Sequence, residues 1–302
     1  MQGTVDGFSY GLVTPVAAFL MACLGGALGL RCTTRSLRHR DTFKAGWLAL
    51  GATSIGTGIW TMHFIAMMGF SVRQAPISYD RPITFASLGV AILMVGIGIF
   101  IVGYRGATPL TLVTGGTITG LGVATMHYLG MAGMRLHGEV RYDTLTVALS
   151  VVIAVVAATA ALWAAVSVHG FLASLGASVV MGLAVSGMHY TAMAAVDVRL
   201  HGTAAAGSGD SATSLLLPML IGPGVFLLLA AVVVMFDPLL VMGEPDWQRP
   251  GGRGGHPHHL PGVPSPRRAA AYGEPANWSA ARPAARSGRR AAHRGTYRSQ
   301  DW

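Results

Sequence analysis

Thr61-Met62-His63-Phe64-Ile65-Ala66-Met67, Thr125-Met126-His127-Tyr128-Leu129-Gly130-Met131 and Gly187-Met188-His189-Tyr190-Thr191-Ala192-Met193 are three writings of one phrase. Each is Met-His-aromatic, with a second Met four residues after the His. The histidines lie 64 and 62 residues apart (127 − 63 and 189 − 127), about the length of two membrane spans with their connections. The chain is therefore expected to be built from repeated two-helix units. Small residues recur around the phrase: Gly56, Gly120 and Gly182 stand seven before each His, and Gly69, Gly133 and Ala195 six after it. In lipid, where packing holds helices together, such positions let backbones approach closely. A further echo is Arg135-Leu136-His137-Gly138 and Arg199-Leu200-His201-Gly202.

The surrounding composition agrees with a membrane setting. Of 302 residues, 52% are hydrophobic and 11% charged, against a globular norm of roughly a quarter charged. The expected fold is all-α, a polytopic membrane protein with a seven-transmembrane-helix bundle, three repeated two-helix units and a disordered C-terminal tail. Apolar stretches of spanning length are read at 11–30, 45–70, 83–103, 110–134, 145–168, 171–196 and 215–236. Cys23 and Cys32 suggest neither a disulfide framework nor a thiolate metal site. No basic flank precedes the first apolar run, so that run is expected to be retained as a span.

Charge sets the expected orientation. Arg31, Arg35, Arg38, Arg40 and Lys44, then Arg105, then ten arginines after residue 236 fall on one side; Arg73, Arg81, Arg135, Arg141 and Arg199 fall on the other. Basic residues are retained in the cytoplasm, which places the N-terminus outside and the C-terminus inside a bacterial cytoplasmic membrane. Asp80, Glu139, Asp143, Asp197 and Asp210 give the outer connections a mildly acidic character. Two domains follow: residues 1–240, the membrane part, and residues 241–302, a basic Pro/Gly/Ala/Arg-rich cytoplasmic tail without apolar periodicity. Its arginines suit anionic lipid better than nucleic acid, and the tail patch His256-Pro257-His258-His259 suits incidental metal binding.

A histidine within a span needs a polar partner, so each one is a functional candidate. A lone copy is well explained by a hydrogen bond to a neighbouring helix; three at one depth are not. Residues i and i+4 share a helix face, which pairs His63 with Met67, His127 with Met131 and His189 with Met193. The preceding Met62, Met126 and Met188 are rotated by about 100° and reach a neighbouring helix or lipid. Imidazole and thioether together favour copper, especially Cu(I), over oxygen-seeking cations. The methionines also suit packing, but a fixed offset from every His favours ligation. Phe64, Tyr128 and Tyr190 suit the membrane interface and would shield the site.

Met188-His189-Tyr190-Thr191 resembles the signature of the MHYT domain, with Met126-His127-Tyr128-Leu129 and Met62-His63-Phe64-Ile65 as degenerate companions. The resemblance covers about residues 8–240. It implies a bacterial inner-membrane sensor module that binds copper through these Met and His residues and senses oxygen, carbon monoxide or nitric oxide. Members are often fused to GGDEF and EAL domains or to DNA-binding output. The tail of this chain carries no such domain, so the expected signal passes to a separate cytoplasmic or membrane partner.

The expected function is thus a non-enzymatic sensor or ligand-binding protein, with the lipid bilayer, a metal ion and a diatomic gas as partners. The alternative is a copper or proton transporter, which predicts further ligands deeper in the membrane; His169, Met94 and Met181 are the scattered candidates. Haem on paired histidines is a less favoured cofactor. No nucleophile or intramembrane carboxylate pair points to an enzyme.

Overall fold

The computed structural model describes residues 5–6, 9–38, 43–72, 77–136, 138–168, 170–200 and 212–236. The tail, His137, His169 and His201 lie outside them, as does the expectation of a disordered tail. Seven helices run through the described residues: α1 Val13–Arg38, α2 Lys44–Met68, α3 Arg81–Arg105, α4 Pro109–Ala132, α5 Thr144–Ser167, α6 Phe171–Ala194 and α7 Ala212–Met235. Each has 24 to 26 residues, or about 36 Å and more at about 1.5 Å per residue. Five of them (α1, α3, α5, α6 and α7) are long and apolar enough to cross a membrane. The exceptions, α2 and α4, are rich in Gly and Thr and bury much of their length within the bundle, where polar side chains are sheltered from lipid.

Six helices close a ring. Each packs on its successor from α1 to α6, α6 returns to α1, and α7 lies against α2 and α1 as an addition to the ring. Short strands at one end divide the ring into three. β1 Val5–Asp6 pairs antiparallel with β2 Ser71–Val72, β3 Ser78–Tyr79 with β4 Met134–Arg135, and β5 Gly138–Tyr142 with β6 Val196–Leu200. Each pair joins the start of one helical hairpin to its end, giving three strand–helix–helix–strand units. The same bond closes each unit: the carbonyls of Gly69, Gly133 and Ala195 accept from the backbone N–H of Ser9, Asp80 and Asp143 at 3.0, 2.8 and 2.9 Å. At the opposite end the α3–α4 and α5–α6 connections turn through Gly106 (φ 84) and Gly170 (φ 91), positions that suit a residue without Cβ.

The recurrent small residues do what their spacing implies. A Cβ on Gly56 of α2 would stand 2.8 Å from Ile92 Cα of α3, one on Gly120 of α4 2.5 Å from Val155 Cα of α5, and one on Gly182 of α6 2.5 Å from Cys23 Sγ of α1. All three lie at the seam between one unit and the next, where a side chain would meet the neighbouring helix.

Two features depart from the sequence reading. The strands are absent from the all-α expectation; they are ladders of two to five residues at the hairpin ends. And α1 extends to Arg38, eight residues past the expected end at 30, so Arg31 and Arg35 are helical rather than part of a connection. Arg35 is buried, with its guanidinium 5.5 Å from the centre of the Trp47 ring. A cation stacked on indole can stay inside a helical segment at modest cost.

Candidate metal centre

The three phrase histidines sit on α2, α4 and α6, the second helix of each unit, five residues before the helix ends at Met68, Ala132 and Ala194. Equivalent positions in a ring of three units converge on its axis. The three Nδ1 atoms lie 3.1 Å (His63–His189), 3.2 Å (His63–His127) and 3.3 Å (His127–His189) apart. All three side chains are buried at 1% exposure. The rings cross at 76 to 81°, the blades of a propeller around one point.

These short distances cannot all be hydrogen bonds. An imidazole nitrogen has one in-plane position, filled by either a proton or a lone pair. Three converging nitrogens therefore make at most one proper donor–acceptor contact, and any remaining lone pairs repel. One cation at the centre satisfies all three lone pairs at once. The triangle has a mean side of 3.2 Å, so its centre is about 1.85 Å from each nitrogen, slightly inside the ~2.0–2.1 Å of an imidazole–metal bond. The donor set would fit a borderline or soft ion held by His63, His127 and His189.

The neighbours fix the rings. Phe64, Tyr128 and Tyr190 each stack edge-on against the preceding histidine, with centroids 4.6, 4.9 and 5.0 Å apart. Tyr79 then packs on Phe64 and Tyr142 on Tyr128, which ties the strands of one unit to the aromatic residue of the preceding one. The Tyr128 hydroxyl pairs with Ser150 at 2.8 Å. Trp60, one turn before His63, donates to the Thr84 carbonyl at 3.1 Å and to Ser87 Oγ at 3.0 Å, locking α2 to α3. Gly130 supplies the back wall for His63: a Cβ there would meet Nε2 at 2.6 Å. The Nε2 atoms of His63 and His127 are buried without a hydrogen-bond partner.

The structure thus brings together His63, His127 and His189. The methionines Met62, Met67, Met126, Met131 and Met188 are buried in the surrounding core, and Met193 packs against it partly buried. Met67, Met131 and Met193 share the histidine face one turn nearer the strands. On the other side of the histidines is an apolar cavity of about 40 Å³. Ile59, Val123 and Val185, four residues before each His, line it, as do Ile55, Thr119 and Met181, eight before. Sequence reasoning missed Trp60, Gly130 and this cavity. A signal for the back wall was present in the small residue three after each His (Ala66, Gly130, Ala192).

A closed ring of apolar helix hairpins with a buried histidine cluster on its axis defines a multi-pass membrane protein. Residues 56–115 and 120–178 match the MHYT family, described as a bacterial signalling protein N-terminal repeat. The two matched segments begin and end inside helices, so the family repeat is offset by half a hairpin from the strand-closed unit.

Two relatives come from Pseudomonas aeruginosa. The bifunctional diguanylate cyclase/cyclic di-GMP phosphodiesterase MucR is 36% identical over 64% of this chain and 29% of its own length, and the cyclic di-GMP phosphodiesterase NbdA is 36% identical over 65% and 26%. The signaling protein YkoW of Bacillus subtilis is 29% identical over 59% and 23%. The aligned region thus spans less than a third of these relatives. No solved structure matches the chain.

Proposed function

We propose that this protein is a membrane sensor whose ligand-binding centre is a copper ion held by His63, His127 and His189, with Met67, Met131 and Met193 as candidate axial donors and Met62, Met126 and Met188 packed around them. The observation that carries the proposal is the convergence of three buried Nδ1 atoms within 3.3 Å, an arrangement that three neutral rings cannot satisfy among themselves. Thioether neighbours favour Cu(I) over zinc, although the imidazoles alone accept either. Bound copper would supply a site for a neutral diatomic such as oxygen, carbon monoxide or nitric oxide. The chain's own residues bury the centre, exclude water and fix the three rings.

In this proposal all seven helices span the cytoplasmic membrane, α2 and α4 included because their polar residues face the ring. The strand end is outward, and the basic end and tail are cytoplasmic. The activities in the relatives' names lie with proteins that extend well beyond the aligned region, so for the aligned region we propose sensing rather than catalysis, its signal passed on to an output partner. The transporter alternative is disfavoured by the cavity lining. Below the histidines the cavity is walled by aliphatic side chains, Thr33, Thr119 and the thioethers of Met181 and Met188. Of the deeper donors a transporter would use, Met181 lies there, but no charged group lines the cavity.

The test is metal content of the detergent-purified full chain after Cu(I) loading under reducing conditions, beside His63→Ala, His127→Ala and His189→Ala. One copper per chain, lost in each folded variant, is the expected result. Equal copper in all four proteins refutes the shared centre, and iron with a Soret band would replace copper by haem.

A further inference from the structure

The cavity beneath the triad belongs to the same axis and has a chemistry of its own. All six ring helices line it, and the residues four and eight before each histidine form its walls. Its lining is aliphatic apart from the thioethers of Met181 and Met188 and two hydroxyl side chains, Thr33 of α1 and Thr119 of α4. Both hydroxyls are buried without a hydrogen-bond partner. A buried water typically makes about three hydrogen bonds, and this lining offers it only the two hydroxyls, so water is held weakly and a small apolar molecule competes well for the space. The space of about 40 Å³ takes a molecule of one or two heavy atoms. Its floor approaches a second, polar cavity at the end of the ring away from the strands, lined by Thr34, Ser36 and Lys44, and Ala165 lines both.

We propose that this chamber is a binding site for a small neutral apolar molecule of monatomic or diatomic size, and the route by which such a molecule reaches the triad from the side opposite the strands. The first part stands on the cavity alone; the second rests on the proposed metal centre. On the strand side the methionines occupy the next turn of the histidine face. On the chamber side the next turn is Ile59, Val123 and Val185, none of which offers a donor. The chamber wall contributes the thioethers of Met181 and Met188 but no charged group, so a molecule held there would approach the histidines from a side without a competing ionic ligand. A charged or strongly hydrated ligand would lose its hydration in the chamber without replacement, which makes the walls selective for neutral species.

The experiment uses xenon as probe on the full chain in lipid nanodiscs, free of metal. Xenon-129 exchange spectra should show a bound resonance that disappears in Val123→Phe, which fills the chamber, and weakens in Ala158→Leu, which fills it less. Thr119→Val, which keeps the volume and removes a hydroxyl, should retain it. Absence of a bound resonance in wild type, or one unchanged in both filled variants, overturns the chamber whether or not metal binds. For the route, carbon monoxide rebinding to the Cu(I)-loaded chain after photolysis should be slowed about tenfold or more in Ala158→Leu. An unchanged rate, with copper still bound, overturns the route and leaves the metal centre standing. Failure to load copper would overturn the metal centre and the route together, and the xenon spectra alone would then decide whether the chamber binds a gas.

Discussion

Replacing Gly130 by alanine adds one methyl group at the back of His63, and the structure fixes what it meets. The new Cβ would lie 2.6 Å from Nε2, 3.1 Å from Cδ2 and 3.2 Å from Phe64 Cζ. Ordinary contact begins at 3.4 Å, so the imidazole or the α4 backbone must give by about 0.8 Å (3.4 − 2.6). His63 has little room to yield, because its Nδ1 is already 3.1 and 3.2 Å from its two partners. Metal ligands tolerate displacements of only about 0.2 Å. Copper affinity should therefore fall by about 10- to 100-fold, the loss seen when groups supporting a metal ligand are removed.

Stability should fall by up to about 2 kcal/mol (3 − 1). Overpacking costs about 1–3 kcal/mol, and the gain in helix propensity from Gly to Ala returns about 1 kcal/mol. The matched control is Gly187→Ala, in the same phrase on α6, where a Cβ meets nothing within 4 Å; it should melt at or above wild type and bind copper normally. The assays are competition against a chromogenic Cu(I) chelator and thermal unfolding followed by circular dichroism in one detergent. If Gly130→Ala melts as high as Gly187→Ala and holds Cu(I) as tightly, the ring is not pinned by that helix and the reasoning fails.

Three further outcomes follow from the same packing. Gly120→Ala drives its Cβ to 2.5 Å from Val155 Cα and 2.7 Å from the Ala154 carbonyl, backbone atoms that cannot rotate away, so it should lose about 1–3 kcal/mol, while Gly176→Ala, in open space on α6, should lose nothing in the same melt. Trp60→Phe removes both indole hydrogen bonds to α3 and should cost about 0.6–1.7 kcal/mol, the range for interhelical bonds in membranes, read by chemical unfolding in mixed micelles. Asp80 and Asp143 cap α3 and α5: the Ile83 N–H and then Arg135 hold the Asp80 carboxyl below its ordinary range, and the Thr146 hydroxyl and N–H do so for Asp143. Depressed carboxylates stabilise above their ordinary pKa and lose that contribution as pH falls through the folded value, so the melting gap between wild type and Asp80→Ala/Asp143→Ala should be open at pH 7 and close in acid.

Much of the centre was legible because a repeat is a geometric statement. Three histidines at equal spacing on alternate helices must share a depth, and Gly56, Gly120 and Gly182 mark where the units touch. Spacing alone left convergence unspecified: a ring that failed to close would place the same residues at the same depth and far apart. Closure depends on α6 returning to α1, a contact between chain segments more than a hundred residues apart. The strands were hidden for a different reason. Val196-Asp197-Val198-Arg199-Leu200 alternates as a strand should, but two- to five-residue ladders next to long apolar helices leave weak signals. Charge ordinarily ends a span, which puts Arg31 and Arg35 outside α1 on sequence grounds; Trp47, on the next helix, supplies the stacking partner that lets the helix run on. The methionine offset, strict in the sequence, is equally compatible with ligation and with the packed core the structure describes.

The strand pairs and seam glycines together determine what the centre can respond to. Each histidine belongs to one strand-closed unit, and the wall of His63 comes from another: Gly130 of the second unit stands behind His63 of the first. Tyr79 of the second unit likewise packs on Phe64 of the first, and Tyr142 of the third on Tyr128 of the second. The nitrogen triangle is therefore set by how the three units meet rather than by any one hairpin. A slide of one unit by a few tenths of an ångström changes two of the three distances, on the scale of the tolerance of a metal site. Ligation at the axis and packing at the seams are thus mechanically one variable. A ligand that prefers one nitrogen spacing does work on all three seams, and the seams continue to the end of the ring where Lys44 of α2 reaches the Gly103 carbonyl of α3 at 2.7 Å.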